Sequence, residues 1–504
     1  MKSAFNLLHD LLPFSQPGAG RKAAEVRGLL DTMVGLSPYE VVNELTARII
    51  PAIVRQQNLH MRVNLLENAR QEAEMALPVL ERLVDDAELP LSMAAATQAI
   101  AADNLMKALA NAYFGVTRAI LQGNQYKTMH RMFQRATLAA MTFVGRRQQL
   151  ACRAYTKPSA SSWAMLHELY KAARDFRRRL PGEDISAIDH HYLVALLFAH
   201  LEPGKLARSE LTAALFCTQQ LASHAVIVDI PPNTEVINAS PAGFVVCLDE
   251  GKPGTPLQRL PQGAVIRDGI VVDCSGVLGA LEKSLNRHPE SSDESSLDIP
   301  PALLHVLQLA FGGRSLRRYA RKRFKPHADL IAGITQVIAF IEAGAAPRRA
   351  TDTSGHAPRA FVASEWSLID QSPDGFLVRF IQGESCKIAV GNIVALQPRE
   401  SGKAQVCMVR RIATNNQGRL ELGLQALSPQ VSVVDLPGQG EIRRAIYLSR
   451  LPGYGNLPGI IARPGHLASG HKLRLAAAGE TKLWQVGRRL EAADGLEFFA
   501  LVPL

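Results

Sequence analysis

Cysteine is sparse and scattered, with six in 504 residues, at positions 152, 217, 247, 274, 386 and 407, and no Cys-x-x-Cys pair. Disulfide frameworks and structural zinc sites need clustered cysteines, so this spacing predicts reduced thiols and a cytoplasmic chain. Adjacent His190 and His191 do not have metal-ligand spacing either, and no metal is expected. Aromatic residues make up only 6% of the chain, few for a base-stacking platform. No unbroken apolar run is long enough to span a bilayer. Asp10 and Pro13 interrupt the apolar N-terminal stretch, which does not fit a secretory signal. Its Phe5, Leu8 and Leu12 have the spacing of a short amphipathic helix. The chain has no Gly-rich phosphate loop of the P-loop type, no Gly-x-Ser-x-Gly elbow and no His-Glu-x-x-His phrase. These absences argue against an enzyme, and no catalytic residues are assigned.

What is abundant is apolar and basic. Hydrophobic residues reach 47%, and 504 residues exceed what one core supports, so two to four domains are expected. The net charge of +10 raises the prior for an anionic partner. The excess gathers at Arg177-Arg178-Arg179, in the run 314–323, and at Arg348-Arg349, Arg410-Arg411 and Arg443-Arg444. No helix-turn-helix or ribonucleoprotein phrase accompanies these clusters, which argues against nucleic acid, although a basic nucleic-acid-associated protein stands as a second alternative function.

The organisation predicted along the chain is α+β and multidomain: an N-terminal all-α helical array followed by β-barrel modules. Residues 1–222 read as the array. Ser37-Pro38-Tyr39-Glu40 is a helix start, with Ser as N-cap and Glu completing a capping box. Long Ala- and Leu-rich helices are expected over 41–67, 91–121 and 126–155, with a core-facing stripe from Trp163 to Phe176. Residues 223–287 alternate like short strands and form a small β-rich module. Residues 288–312 are a Ser-rich acidic linker and a helix from Pro300. Residues 313–432 carry strand patterns at 391–396, 404–410 and 419–425, with an insertion near 344–358. Residues 433–504 form a last small β unit.

One phrase occurs twice. Ile237-Asn-Ala-Ser-Pro-Ala-Gly-Phe-Val-Val-Cys-Leu248 matches Ile369-Asp-Gln-Ser-Pro-Asp-Gly-Phe-Leu-Val-Arg-Phe380 in an amide or acid, a Ser two residues later, a Gly three after that and an apolar run. A recurrence of this kind suggests two related β modules. Each copy also reads as ordinary turn chemistry ahead of a strand. In the second copy a carboxylate at Asp370 can accept two hydrogen bonds from the Watson–Crick edge of a guanine. Ser372 adds a hydroxyl, and Gly375 permits close approach.

The second copy, Asp370-x-Ser372-x-x-Gly375, resembles the Asp/Asn-x-Ser-x-x-Gly signature of PilZ domains, small β-barrels of which many bind cyclic di-GMP. In that family an Arg-x-x-x-Arg segment stands upstream of the first strand. Here the run 314–323 contains Arg317-x-x-x-Arg321, overlapped by the pair Arg314 and Arg318, and Phe324–Ile334 reads as the following strand. The phrase at 422–427 is similar to a late strand of the family. The resemblance covers about 313–430 and implies a cyclic-di-GMP site built from Arg317, Arg321, Asp370, Ser372 and Gly375, with no other cofactor. Paired guanidinium groups suit a dianionic dinucleotide and can stack on guanine. The spacing departs from the family, with 48 residues between Arg321 and Asp370. An insertion between the first two strands accounts for it at little thermodynamic cost; alternatively, the arginines belong to a preceding helix. The first copy has no paired arginines upstream of Asn238 and reads as a structural or protein-binding module, or as a chance match. Patterns of the enzymes that make or degrade cyclic di-GMP are absent. The implied function is a signalling adaptor that couples dinucleotide binding to an unidentified protein partner through the helical array, in motility, pilus function or biofilm formation. The alternative is a scaffold that keeps the fold for protein contacts without ligand.

Overall fold

A computed structural model describes residues 19–235, 242–261, 263–286, 299–312, 326–344, 361–384, 387–400, 403–415, 417–436, 443–477, 480–493 and 495–504. The described chain is a helical region followed by β-structure, including a closed six-stranded barrel. It divides into two compact units, Met1–Ala87 with Ser92–Pro203 and Glu210–Ser315, and Glu88–Leu91 with Gly204–Ser209 and Leu316–Leu504.

In the first unit the helices begin where the sequence places caps. Ser37 and Glu40 form the expected capping box, with Glu40 Oε2 accepting from the Ser37 backbone N–H at 2.8 Å. The helix expected over 41–67 is interrupted. A π-turn at Leu45–Ile49 precedes Pro51, which has no N–H to give the ladder. The chain then leaves helical geometry until Asn58, whose side chain caps Leu59–Asp85 by accepting from Met61 N–H at 3.1 Å. Ser92 and Ser159 cap the next helices in the same way, Met93–Gln122 and Ala160–Arg179, with His130–Arg153 between them. Ion pairs fix how the helices pack. Arg147, 6% exposed, forks onto Asp103 at 2.9 and 3.0 Å, and Arg146 reaches Glu74 at 2.7 Å and Glu81 at 2.6 Å.

A four-stranded sheet closes this unit. Its strands are β1 (Val226–Ile230), β3 (Gly243–Cys247), β4 (Thr255–Pro256) and β6 (Gly269–Asp273), in the order β1-β6-β3-β4. A separate two-stranded ribbon pairs β2 (Thr234–Glu235) with β5 (Val265–Ile266). The helix Ala160–Arg179 holds the sheet through polar side chains: Lys171 pairs with Asp249 at 3.0 Å, and Arg174 with Asp229 at 3.0 Å. His167 is fully buried between Lys252 O at 2.9 Å and Tyr192 OH at 2.7 Å. Burial pushes its pKa down, so the neutral ring donates from Nε2 to the carbonyl and accepts the tyrosine hydroxyl at Nδ1. His200, on the helix Ser186–His200, stacks on Phe244 of β3 at 4.6 Å and on Phe311 at 5.5 Å.

In the second unit, β7 (His327–Ala332), β8 (Ser364–Ser372), β9 (Gly375–Gln382), β10 (Ile393–Pro398), β11 (Gln405–Thr414) and β12 (Leu420–Ala426) close into a barrel in the order β10-β11-β12-β9-β8-β7. The strand expected at Phe324–Ile334 is β7. A helix, Ile334–Glu342, follows it and stands between the first two barrel strands. Alternate residues fill the interior, among them Leu330, Trp366, Leu368, Val378, Leu396 and Leu422. The opposite faces of β7, β10 and β11 are apolar too, and Ile331, Ala395 and Met408 join Ile446, Ile461 and Phe498 in a second core. Those partners belong to β13 (Val431–Leu436), β14 (Arg443–Leu451), β15 (Leu457–Ala462), β16 (Lys472–Ala477), β17 (Glu480–Ala493) and β18 (Leu496–Pro503). This second sheet runs β13-β14-β15-β18-β17-β16, and its edge strands β13 and β16 come together.

Candidate functional site

The second phrase forms the hairpin between β8 and β9. Ser372 pairs with Gly375 across a two-residue turn of Pro373 and Asp374, in keeping with its turn-forming composition. Gly375 has no alternative residue, because a Cβ there would collide with the carbonyl oxygen of Leu424 on β12. The Ser372 hydroxyl donates weakly to Gly375 O at 3.4 Å.

Register determines which face each side chain takes. Leu368 pairs with Val378, and both point into the barrel. A bulge between Leu368 and Asp370 then resets the alternation. Asp370 pairs with Leu377, Leu377 with Gly423, and Gly423 with Arg411, which makes one outward row across β8, β9, β12 and β11. On one side of it lies the row Ser372, Gly375 and Gln425; on the other lie Ser367, Arg379 and Glu421. Arg379 Nε and Nη2 donate to Glu421 Oε1 at 2.9 and 2.8 Å. The structure thus brings Asp370, Ser372 and Gly375 together on one outer face.

Arg317, Arg321, Arg314 and Arg318 lie outside the described residues, as does Asn238 of the first phrase. The described chain resumes at Pro326. His327 pairs with Ser367, and Leu368 N–H donates to Pro326 O at 2.9 Å. The ladder is antiparallel, so the chain enters β7 from the end of β8 that bears Asp370.

Arg411 shares this outward row, a position that sequence reasoning did not give it. The doublet Arg410-Arg411 was visible as a basic pair, but a bulge between Val409 and Arg411 interrupts the strand there, and the two have different surroundings. Arg410 turns to the second sheet. It donates to Glu491 at 2.6 and 2.5 Å, to Tyr454 OH at 3.1 Å and, from Nε, to Gln425 Oε1 at 2.6 Å. Tyr454 OH also donates to Glu491. Burial and Glu491 raise the Tyr454 pKa to about 12, so this hydroxyl stays protonated. Arg411 is exposed on the outer face and makes no ion pair among the described residues. At the opposite end of β8, Arg399 bridges Asp329 and Glu365 at 2.7 Å each, and Gln382 donates to Glu365 at 2.6 Å. That network is self-satisfied and structural.

Among the described residues no group of three His, Cys, Asp or Glu side chains has metal-binding proximity. No helix among them is long and apolar enough to cross a membrane. Described Cys152, Cys217, Cys247, Cys274 and Cys407 are not in disulfides. In comparisons with known proteins, no curated protein and no solved structure matches the chain. Residues 25–232, from within the first described helix through β1, are similar to the family described as the N-terminal domain of the cyclic-di-GMP receptor FimW.

Proposed function

We propose that this chain is a cyclic-di-GMP receptor without enzymatic activity, and that its barrel is a PilZ-like module holding the ligand through Arg317, Arg321, Asp370, Ser372 and Gly375. The observation that carries the reading is the shared outer face of Asp370, Ser372 and Gly375. The described chain enters β7 at Pro326, beside the Asp370 end of that face, and the reading requires the arginine run that precedes it to meet the dinucleotide's phosphates there. The similarity of residues 25–232 to the N-terminal domain of a cyclic-di-GMP receptor supports the same ligand from a different part of the chain.

In this reading the chain acts as a cytoplasmic adaptor. Ligand bound at the barrel biases a contact between the helical array and a protein partner, in motility, pilus or biofilm control. Such coupling requires that ligand prefer one arrangement of the molecule. The helical array offers a surface for the partner: Met75, Val79 and Leu83 recur every fourth residue on Leu59–Asp85 and are 75%, 44% and 43% exposed. Calorimetric titration of the full chain with cyclic di-GMP, beside Arg317→Ala and Asp370→Ala variants and a GMP control, tests the receptor claim. Saturable binding that both variants lose, and that GMP does not reproduce, is expected. Absence of binding by the unaltered chain leaves the scaffold function.

A further inference from the structure

Arg411 sits at the far end of the row that begins at Asp370, three inter-strand steps round the barrel, a surface path of about 14 Å at the usual strand spacing. Between them the row carries Leu377 and Gly423. Gly423 supplies no side chain, and a Cβ there would stand 3.2 Å from Arg411 Cβ. The row is therefore an acid at one end, an apolar side chain and a bare backbone in the middle, and a guanidinium at the other. A ligand that follows the curve of the barrel can lie over the centre while its polar edges meet charged groups of opposite sign at the two ends.

The orientation of Arg411 is built in. Had β11 run regularly, residues 410 and 411 would point to opposite faces of the strand. The bulge adds one residue and lets both avoid the barrel interior. Arg410 is then held by Glu491, Tyr454 and Gln425, and Gln425 is the backbone partner of Gly375. Arg410 thus ties the Arg411 bulge to the motif hairpin.

We propose that Arg411 is a further ligand-contacting residue of this site. Its guanidinium fork takes a pair of acceptor atoms on the dinucleotide opposite the edge held by Asp370, and Arg410 acts as its positioning residue. The inference rests on the receptor reading of the barrel. The paired acceptors are either two phosphate oxygens or O6 and N7 of a guanine, both of which suit a bidentate arginine.

The test is titration of the full chain with cyclic di-GMP for the unaltered protein, Arg411→Ala, Arg411→Lys, Glu491→Gln and Asp370→Ala, with thermal unfolding of each. Arg411→Ala is expected to weaken binding about tenfold to a hundredfold, the range of one lost bidentate contact, with the unfolding temperature unchanged because the side chain is exposed. Partial rescue by Arg411→Lys assigns phosphate, since lysine keeps the charge and loses the fork; no rescue assigns the guanine edge. Glu491→Gln is expected to weaken binding less than Arg411→Ala while lowering the unfolding temperature. If the unaltered chain binds, Asp370→Ala abolishes binding and Arg411→Ala leaves affinity unchanged, the Arg411 proposal is overturned and the receptor reading stands. If the unaltered chain does not bind, both fall.

Discussion

Gly243 and Gly375 occupy the same place in the repeated phrase, and at both a neighbouring strand leaves no room for a Cβ. A Cβ on Gly243 would stand 2.7 Å from Val272 O, and one on Gly375 would overlap Leu424 O. Beyond that likeness the two surroundings diverge. Gly375 opens a strand whose neighbours, β8 and β12, belong to a closed barrel, and its hairpin presents Asp370 and Ser372 outward. Gly243 opens a strand flanked by β6 and β4 in an open sheet, held by Lys171 and Arg174 of a helix. The lesson is that the glycine records a close approach of a neighbouring strand in either setting, whereas the barrel hairpin also sets an acid and a serine on one outer face.

The largest expected effect comes from the glycines. Gly375→Val is expected to reach or exceed the top of the ~1–3 kcal/mol range for overpacking, and Gly243→Val to fall within it, as read by chemical denaturation of each variant. Equal costs would mean that the two crossings are equally tight.

Acid should separate the regions next. Burial lowers the His200 pKa from 6.5 to about 4, so the native ring stays neutral while the unfolded chain takes up a proton. Stability from this group is complete above the unfolded pKa and falls as pH drops from 6.5 towards 4, by on the order of 3 kcal/mol. His167 shifts in the same direction. In the barrel, the hydrogen bond from Gln382, then those with His327 and Arg399, lower the Glu365 pKa. Its contribution is present above the ordinary carboxylate value of 4.5 and is lost only as pH falls below it. An acid titration followed by region-resolved hydrogen exchange should therefore show the sheet of the first unit loosening before the barrel. His200→Phe should narrow the difference.

A smaller effect is expected at the clamp. Glu491→Ala removes the partner of Arg410, whose side chain is 36% exposed. Solvent access reduces the cost from that of a fully buried pair to about 1–2 kcal/mol. The corresponding cut in the other region, Asp229→Ala beside Arg174, should cost under about 1 kcal/mol, because Asp229 is 62% exposed and Arg174 keeps Asp268. Thermal unfolding of both variants checks the order.

Much of this architecture was legible in sequence. The Ser37 cap, the 3.6-residue stripe from Trp163 to Phe176 and the alternating strands at 391–396, 404–410 and 419–425 all report local physics that the fold respects. The break near Asn58 was less visible, because Ala- and Leu-rich segments on both sides share one periodicity and only Pro51 and Asn58 interrupt it. For the site, Asp370, Ser372 and Gly375 were legible as a motif, since a hairpin is a local structure. Arg411 was not, because its place depends on strand order and on one bulge. Neither leaves a mark in a window of neighbouring residues.

Asp370, Ser372 and Gly375 lie on the barrel, whereas the family similarity lies on residues 25–232, so the measurement that decides is hydrogen exchange of the full chain with and without cyclic di-GMP. Protection concentrated in β8, β9 and β12, and lost in Asp370→Ala, is the predicted result. Protection confined to residues 25–232, unchanged in Asp370→Ala, would contradict it and move the site to the helical array.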